Sequence, residues 1–166
     1  PEGQFVAVLG EQVVGYCATF RVAEGVALAP HDWASITGNG YASRHDPEGN
    51  WLYGMEVCVD PDVRGYRIGQ RLYNARKQLC QDLGLKGVVF VGRLPSLARR
   101  IRRFASVSDY VDQIVAGKQR DPVLSFQLHN GFQVHDIIPS YLDADRESLG
   151  YGIHLTWHNP KVSDIN

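Results

Sequence analysis

The residues most able to do chemistry together lie in Val59-Asp-Pro-Asp-Val-Arg-Gly-Tyr-Arg-Ile-Gly-Gln-Arg-Leu72. An apolar run ends at Pro61, a tight Arg-Gly turn follows, and a helical pattern starts near Arg67 with Gly69 in its first turn. The first amides of a helix have no intrahelical acceptor, and the positive end of the helix dipole lies there, so such an end suits a phosphate. Gly65 and Gly69 allow a ligand to approach the backbone closely. Arg64, Arg67 and Arg71 bring positive charge to an end where the dipole already disfavours it. Three arginines there point to an anion that supplies the missing negative charge. The segment is not a Walker loop, since no Gly-Lys-Ser/Thr follows, and it lacks the Gly-x-Gly-x-x-Gly of dinucleotide folds.

Other polar groups carry weaker chemistry. His31-Asp32 and His45-Asp46 lie in a Gly/Pro-rich loop, where they read as lining a substrate mouth or as solvated, and no metal site is assigned. Arg99, Arg100, Arg102 and Arg103 form a basic run, and residues 93–120 as a whole hold seven Lys/Arg against two Asp. The net charge of the chain is nevertheless −1, which argues against nucleic acid as the main partner. Cys17, Cys58 and Cys80 are odd in number and have no C-x-x-C spacing, as expected of reduced cytoplasmic thiols.

These groups must be positioned by a fold that 166 residues with 44% apolar and 21% charged side chains can build as one domain. Residues 4–9 and 13–22 read as a β-hairpin. Residues 23–50 are loop chemistry with one helical turn near His31 to Ile36. Trp51 to Asp60 is the clearest strand. An amphipathic helix follows from Arg67 to Leu83, with Ile68, Leu72, Ala75, Leu79 and Leu83 as its apolar stripe and Gly84 as its stop. Val88 to Val91 then completes a βαβ unit. Helices are expected after Gly92, over Val107 to Ala116 capped by Ser106 or Ser108, and over Pro122 to His129. Strands are expected at Gln133 to Ile138 and Tyr151 to Trp157, the latter with His154 and Thr156 on a polar outer face. The whole is a mixed α/β sheet. No run is long and apolar enough to span a membrane, and no charged-then-apolar leader is visible. The first residue is proline, so a fragment or trimmed product is expected.

Arg64-Gly-Tyr-Arg-Ile-Gly69 resembles motif A of the GNAT family, the GCN5-related N-acetyltransferases, which reads Gln/Arg-x-x-Gly-x-Gly/Ala between the family's fourth strand and third helix. Arg67 stands where the family has glycine. The flanking V-x-P-x-x-R-G and I-G-x-x-L, the βαβ setting, and a later Asn130-Gly-Phe132 match the same family. The stretches P-E-G-Q-F-V, Y-A-S-R-H-D-P-E-G-N-W-L-Y-G-M-E-V-C-V-D-P and D-P-V-L-S-F-Q-L-H-N-G-F resemble a subgroup in which this domain precedes a carbon–nitrogen hydrolase (nitrilase-like) domain.

The resemblance implies a mostly antiparallel sheet with a central βαβ unit. Residues 1–160 would be the acetyltransferase domain, with insertions at about 24–50 and 93–120, a tail or linker at 161–166, and the family's N-terminal strand and helices missing. It implies acetyl-coenzyme A as cofactor. The diphosphate would lie on Arg64, Gly65, Tyr66, Arg67, Ile68, Gly69 and Gln70, and the pantetheine arm along the backbone of Val57, Cys58 and Val59, where two strands splay apart. It implies direct attack by a primary amine, with Glu56 as the base and Cys58, on the same strand face, read as a small core residue. Where the family often carries a tyrosine as thiolate acid, this chain has Gln127, so Tyr73, Tyr110 or water serves or the acid is dispensable; the alternative is a module that binds acyl-coenzyme A or a partner domain without turnover. The arginine run would hold the cofactor's 3′-phosphate, an acidic acceptor or a partner domain.

Overall fold

The computed structural model describes residues 2–63 and 65–162. The elements are β1 (Gln4–Leu9), β2 (Gln12–Val22), α1 (Glu24–Ala27), α2 (Trp33–Thr37), β3 (Trp51–Val59), α3 (Ile68–Asp82), β4 (Gly87–Gly92), α4 (Leu97–Arg100), α5 (Val107–Val115), α6 (Pro122–His129), β5 (Gln133–Ile138) and β6 (Gly152–His158). Short 3-10 turns occupy Pro61–Val63 and Ile101–Arg103. The strands follow the order β1-β2-β3-β4-β6-β5. β3 and β4 are parallel; β1–β2, β2–β3 and β5–β6 are antiparallel. This is the expected mixed α/β sheet. The expected loop over residues 23–50 holds two short helices, α1 and α2.

The chain divides into two compact units. The first comprises residues 1–29, 37–90 and 157–166. Here β1 and β2 form the hairpin, and β3 pairs with β2 along its length. The β2–β3 register slips between Ala18↔Glu56 and Thr19↔Gly54, which leaves Met55 as an extra residue on β3. Such a bulge bends a strand and increases its twist. The β3–β4 ladder runs only from Trp51↔Gly87 to Gly54↔Phe90, so it ends where the bulge begins. Beyond it, among the described residues, β3 pairs with β2 and not with β4.

Helix α3 packs Ile68 and Leu72 onto Val14 and Cys17, with Phe5, Ala7, Val57, Val59 and Val63 around them. Its buried residues are Ile68, Leu72, Tyr73, Arg76 and Cys80. The expected stripe therefore needs correction: Leu83 is exposed and Arg76 lies inside. The core face follows a spacing of four along the helix, and the sequence stripe drifted off it after Leu72. Gly84 ends the helix at φ +61°, the left-handed conformation expected there.

The second unit comprises residues 30–36 and 91–156. Ser106 Oγ caps α5 by accepting from the Asp109 amide. Asp121 caps α6 by accepting from the Val123 and Leu124 amides, with Pro122 in the first turn. The Asp121 carboxylate is fully buried and also accepts from the Ser96 amide and the Tyr110 hydroxyl, so one side chain ties three helical segments together. His154 and Thr156 of β6 are buried, so the expectation of a polar outer face is overturned. His154 is fully enclosed, with the rings of His31 and His135 edge-on at 5.3 and 5.0 Å. Both faces of β6 are covered, which alternation along a single strand does not reveal.

Candidate functional site

The first unit brings most of the expected site residues together. Of the phosphate-loop residues, Arg64 lies outside the described residues. Gly65 has φ +102°, and Gly65, Tyr66 and Arg67 are exposed. Arg67 precedes α3 in a left-handed conformation, φ 56° and ψ 27°. The position at which the resembled motif has glycine is thus one whose backbone favours glycine. The Arg67 side chain is directed to solvent and does not fill the turn. Among the described residues, the first helical bond of α3 is the Arg71 amide donating to the Arg67 carbonyl. The amides of Ile68, Gly69 and Gln70 precede it and have no acceptor within the helix. Among the described residues, no side chain caps the positive end of this 15-residue helix and no acidic residue lies in its first turn.

Strand β3 leads into this turn. Val57 and Val59 face the α3 core, so Glu56 and Cys58 project from the opposite face. Both are exposed. The reading of Cys58 as a small core residue is therefore overturned: α3 covers only the other side of the sheet. The Cys58 thiol donates to Glu56 Oε1 at 3.2 Å, and the Tyr16 hydroxyl reaches Glu56 Oε2 at 3.4 Å. Partial burial pushes the Cys58 thiol above its ordinary value, and the Glu56 carboxylate adds to the rise. The Tyr16 phenol is raised by the same two causes in the same order. Both groups are therefore neutral donors near pH 7, and the carboxylate is the acceptor of the cluster. A carboxylate held by two neutral donors on an open sheet face can take a proton from an incoming group.

Two residues of this region were missed. Tyr16 gave no signal, because its partner lies 40 positions away. Arg76 did give one: Ile68, Leu72, Arg76 and Cys80 recur at intervals of four, which places an arginine within an apolar stripe.

The remaining candidates are occupied elsewhere. Asp32 accepts from the Ser35 amide at the start of α2, and His45 Nδ1 accepts from the Arg21 amide. Among the described residues no three His, Cys, Asp or Glu side chains converge as a metal set. The Tyr110 hydroxyl is fully buried and donates to Asp121, and burial pushes its pKa up, so it is not an accessible acid. Tyr73 is buried against the Phe90 ring. Gln127 lies in the second unit with its amide against Gly92, where a Cβ would collide with it. Arg99, Arg102 and Arg103 are exposed, and Arg100 donates to the Arg120 carbonyl.

The fold and this helix start define a mixed α/β protein with an anion-accepting turn after its third strand, and comparison with known proteins gives its family. The model of the Acetyltransferase (GNAT) family matches residues 1–105, and the chain belongs to that family. It is 33% identical over 159 residues to the Bacillus subtilis "Uncharacterized N-acetyltransferase YkwB", covering 96% of this chain and 70% of that protein. It is 39% identical over 159 residues to the Bacillus subtilis "Probable hydrolase YhcX", again covering 96% of this chain but only 31% of that protein. Among solved structures, the GphF GNAT-like decarboxylase in complex with isobutyryl-CoA superposes with a TM-score of 0.82 at 30% identity, covering 95% of this chain and 78% of that one. The chain thus spans less than a third of YhcX.

Proposed function

We propose that residues 1–160 form an N-acetyltransferase domain that moves an acetyl group from acetyl-coenzyme A to a primary amine by direct attack. The observation that carries this reading is the conjunction in one unit of the uncapped α3 start and the β3 edge that loses its β4 partner after Gly54. The residues present fit the cofactor. The amides of Ile68, Gly69 and Gln70, with the Gly65–Tyr66–Arg67 turn, would hold the diphosphate. The main chain of Val57, Cys58 and Val59 would pair with the pantetheine arm as an added strand would. Isobutyryl-CoA in the GphF structure supports an acyl-coenzyme A ligand.

Bound acetyl-coenzyme A would supply the activated acyl group as a thioester. Glu56 would accept the proton that the amine sheds on attack, directly or through one water, while Tyr16 and Cys58 hold its two oxygens in place. The thiol of Cys58, pushed up by burial, stays protonated and keeps that donor role.

The test is thermal stabilisation by acetyl-coenzyme A, followed by thiol release with a panel of amines. In the Gly69→Glu variant, which places a carboxylate at the helix start, binding is expected to be lost. Retained affinity in that variant would put the cradle elsewhere, and no stabilisation of the wild type at millimolar cofactor would overturn the proposal.

A second reading is favoured by two observations. GphF is described as a decarboxylase, and this chain carries Gln127 rather than a phenol at the family's tyrosine place. On that reading the domain binds an acyl-coenzyme A without acetyl transfer. It would then either decarboxylate a malonyl-type thioester or serve as a binding module for a partner domain. Cofactor binding with no thiol release across the amine panel, together with CO2 release from a malonyl-type thioester, would select decarboxylation; binding with neither would select the module. We propose that a carbon–nitrogen hydrolase domain follows this one in the full-length protein; the name of YhcX, a probable hydrolase of which only 31% is matched, supports a hydrolase partner. Three free thiols support a reducing compartment, and we place the domain in the cytoplasm. Among the described residues, no helix is long and apolar enough to cross a membrane.

A further inference from the structure

We propose that Arg76 is a positioning residue for the pantetheine arm: its buried guanidinium grips the β2–β3 bulge and so keeps the edge of β3 beyond Gly54 open. The inference rests on the acyl-coenzyme A reading above and adds to it the residue that shapes the strand edge.

Arg76 lies in the middle of α3 and is 1% exposed. Its Nη2 donates to the Glu56 carbonyl at 2.9 Å and to the Ala18 carbonyl at 3.2 Å. These two residues face each other at the register slip, where Met55 is the extra residue. A bulge disrupts the ladder locally and leaves main-chain groups that need another partner. The guanidinium supplies one from below the sheet. It lies flat on Gly54, where a Cβ would come within 2.6 Å of Nη1 and 2.9 Å of Cζ. Gly54 is also the last β3 residue to pair with β4. The seat of the cation, the bulge and the end of the parallel ladder thus coincide.

Packing alone does not account for this residue. A buried charge is unfavourable unless paired and fully hydrogen-bonded. Among the described residues no carboxylate forms an ion pair with Arg76, and its Nε has no hydrogen-bond partner. The nearest aromatic face, Tyr73, lies 5.8 Å from Cζ. Leucine or methionine would fill the same volume without burying a charge. What an apolar side chain could not do here is what Nη2 does with its two N–H groups: it binds carbonyls of two neighbouring strands at once. By fixing the Glu56 main chain, the same grip sets the strand from which the Glu56 carboxylate projects on the other face.

The experiment compares two ligands by titration calorimetry. Coenzyme A has both diphosphate and arm, whereas 3′-phospho-ADP has the diphosphate and no arm. In Arg76→Met, affinity for coenzyme A is expected to fall at least tenfold while affinity for 3′-phospho-ADP stays within twofold. Arg76→Lys, which keeps the charge and N–H donors on a shorter side chain, should recover part of the loss. A purely structural role would weaken both ligands together. Equal losses, or no loss for coenzyme A, would overturn the assignment while leaving the acyl-coenzyme A reading intact. If the wild type binds neither ligand, that reading falls and takes the inference with it. Should Arg76→Met fail to melt cooperatively, Arg76→Lys carries the comparison. A loss ratio between the two ligands above three would then support the role, and a smaller ratio would refute it.

Discussion

Replacing Asp145 with asparagine removes one charge from a buried cluster while keeping its shape. The Asp145 side chain is 5% exposed and accepts from Arg93 Nε at 2.5 Å, Arg93 Nη2 at 2.6 Å and Ser148 Oγ at 2.7 Å. Ser148 Oγ in turn accepts from the Leu94 amide, so the cluster anchors the chain as it leaves β4. The Arg93 hydrogen bonds hold the carboxylate at about 2, against its ordinary 3.8, and the Ser148 bonds assist while burial opposes. At about 1.4 kcal/mol per unit, that shift corresponds to roughly 2.5 kcal/mol of stability near pH 7 before screening. The Arg93 side chain is 55% exposed, so solvent screening brings the expected loss to about 1–1.5 kcal/mol. The folded pKa lies below the unfolded one, so this contribution is fully present above about pH 4 and fades as pH falls towards 2. Urea unfolding of wild type and Asp145→Asn from pH 7 to pH 2.5 measures it directly. The difference between the two should be largest at pH 7 and shrink steadily below pH 4. A gap that is absent at pH 7, or that does not change between pH 5 and 2.5, would refute the reasoning.

Glu56→Gln is expected to lower the rate of amine acetylation most at low pH, where solvent is a poor substitute for the lost acceptor, and to leave coenzyme A affinity within about twofold; an unchanged pH–rate profile would strip Glu56 of its role. Of the three thiols only Cys58 is exposed, while Cys17 and Cys80 are fully buried and burial pushes Cys80 up to about 12. Intact mass after brief treatment of the native protein with a thiol reagent should therefore show one adduct, on Cys58, and a second would contradict the fold of this unit. Arg67→Gly removes a side chain from a left-handed backbone and should change stability by between zero and about +1 kcal/mol, since relief of strain is offset by the greater freedom of glycine in the unfolded chain. A loss of more than about 1 kcal/mol in thermal or urea unfolding would show that the Arg67 side chain makes contacts the structure does not contain.

The features that the sequence settled by itself are those whose causes lie within a few residues. Pro122 opens α6 because its fixed φ suits a first helical turn, and a serine at 106 or 108 was expected to cap α5, of which the structure uses Ser106. Gly84 ends α3 because the chain needs a left-handed residue there, and Pro61 closes β3 because it cannot donate to a ladder. The turn before α3 was legible for the same reason, whereas the glycine place that Arg67 occupies was read only from the family resemblance. Tertiary structure alone decided what each face meets. Cys58 is open because α3 covers the other side of β3, and His154 is enclosed because His31 and His135, 123 and 19 positions away in the chain, close over it. The bulge at Met55 exists only in the pairing of β2 with β3, and Arg76 acquires its meaning only from the two carbonyls it reaches there. Local hydrogen bonds are written in adjacent residues, whereas burial and register depend on partners brought together by the folded chain.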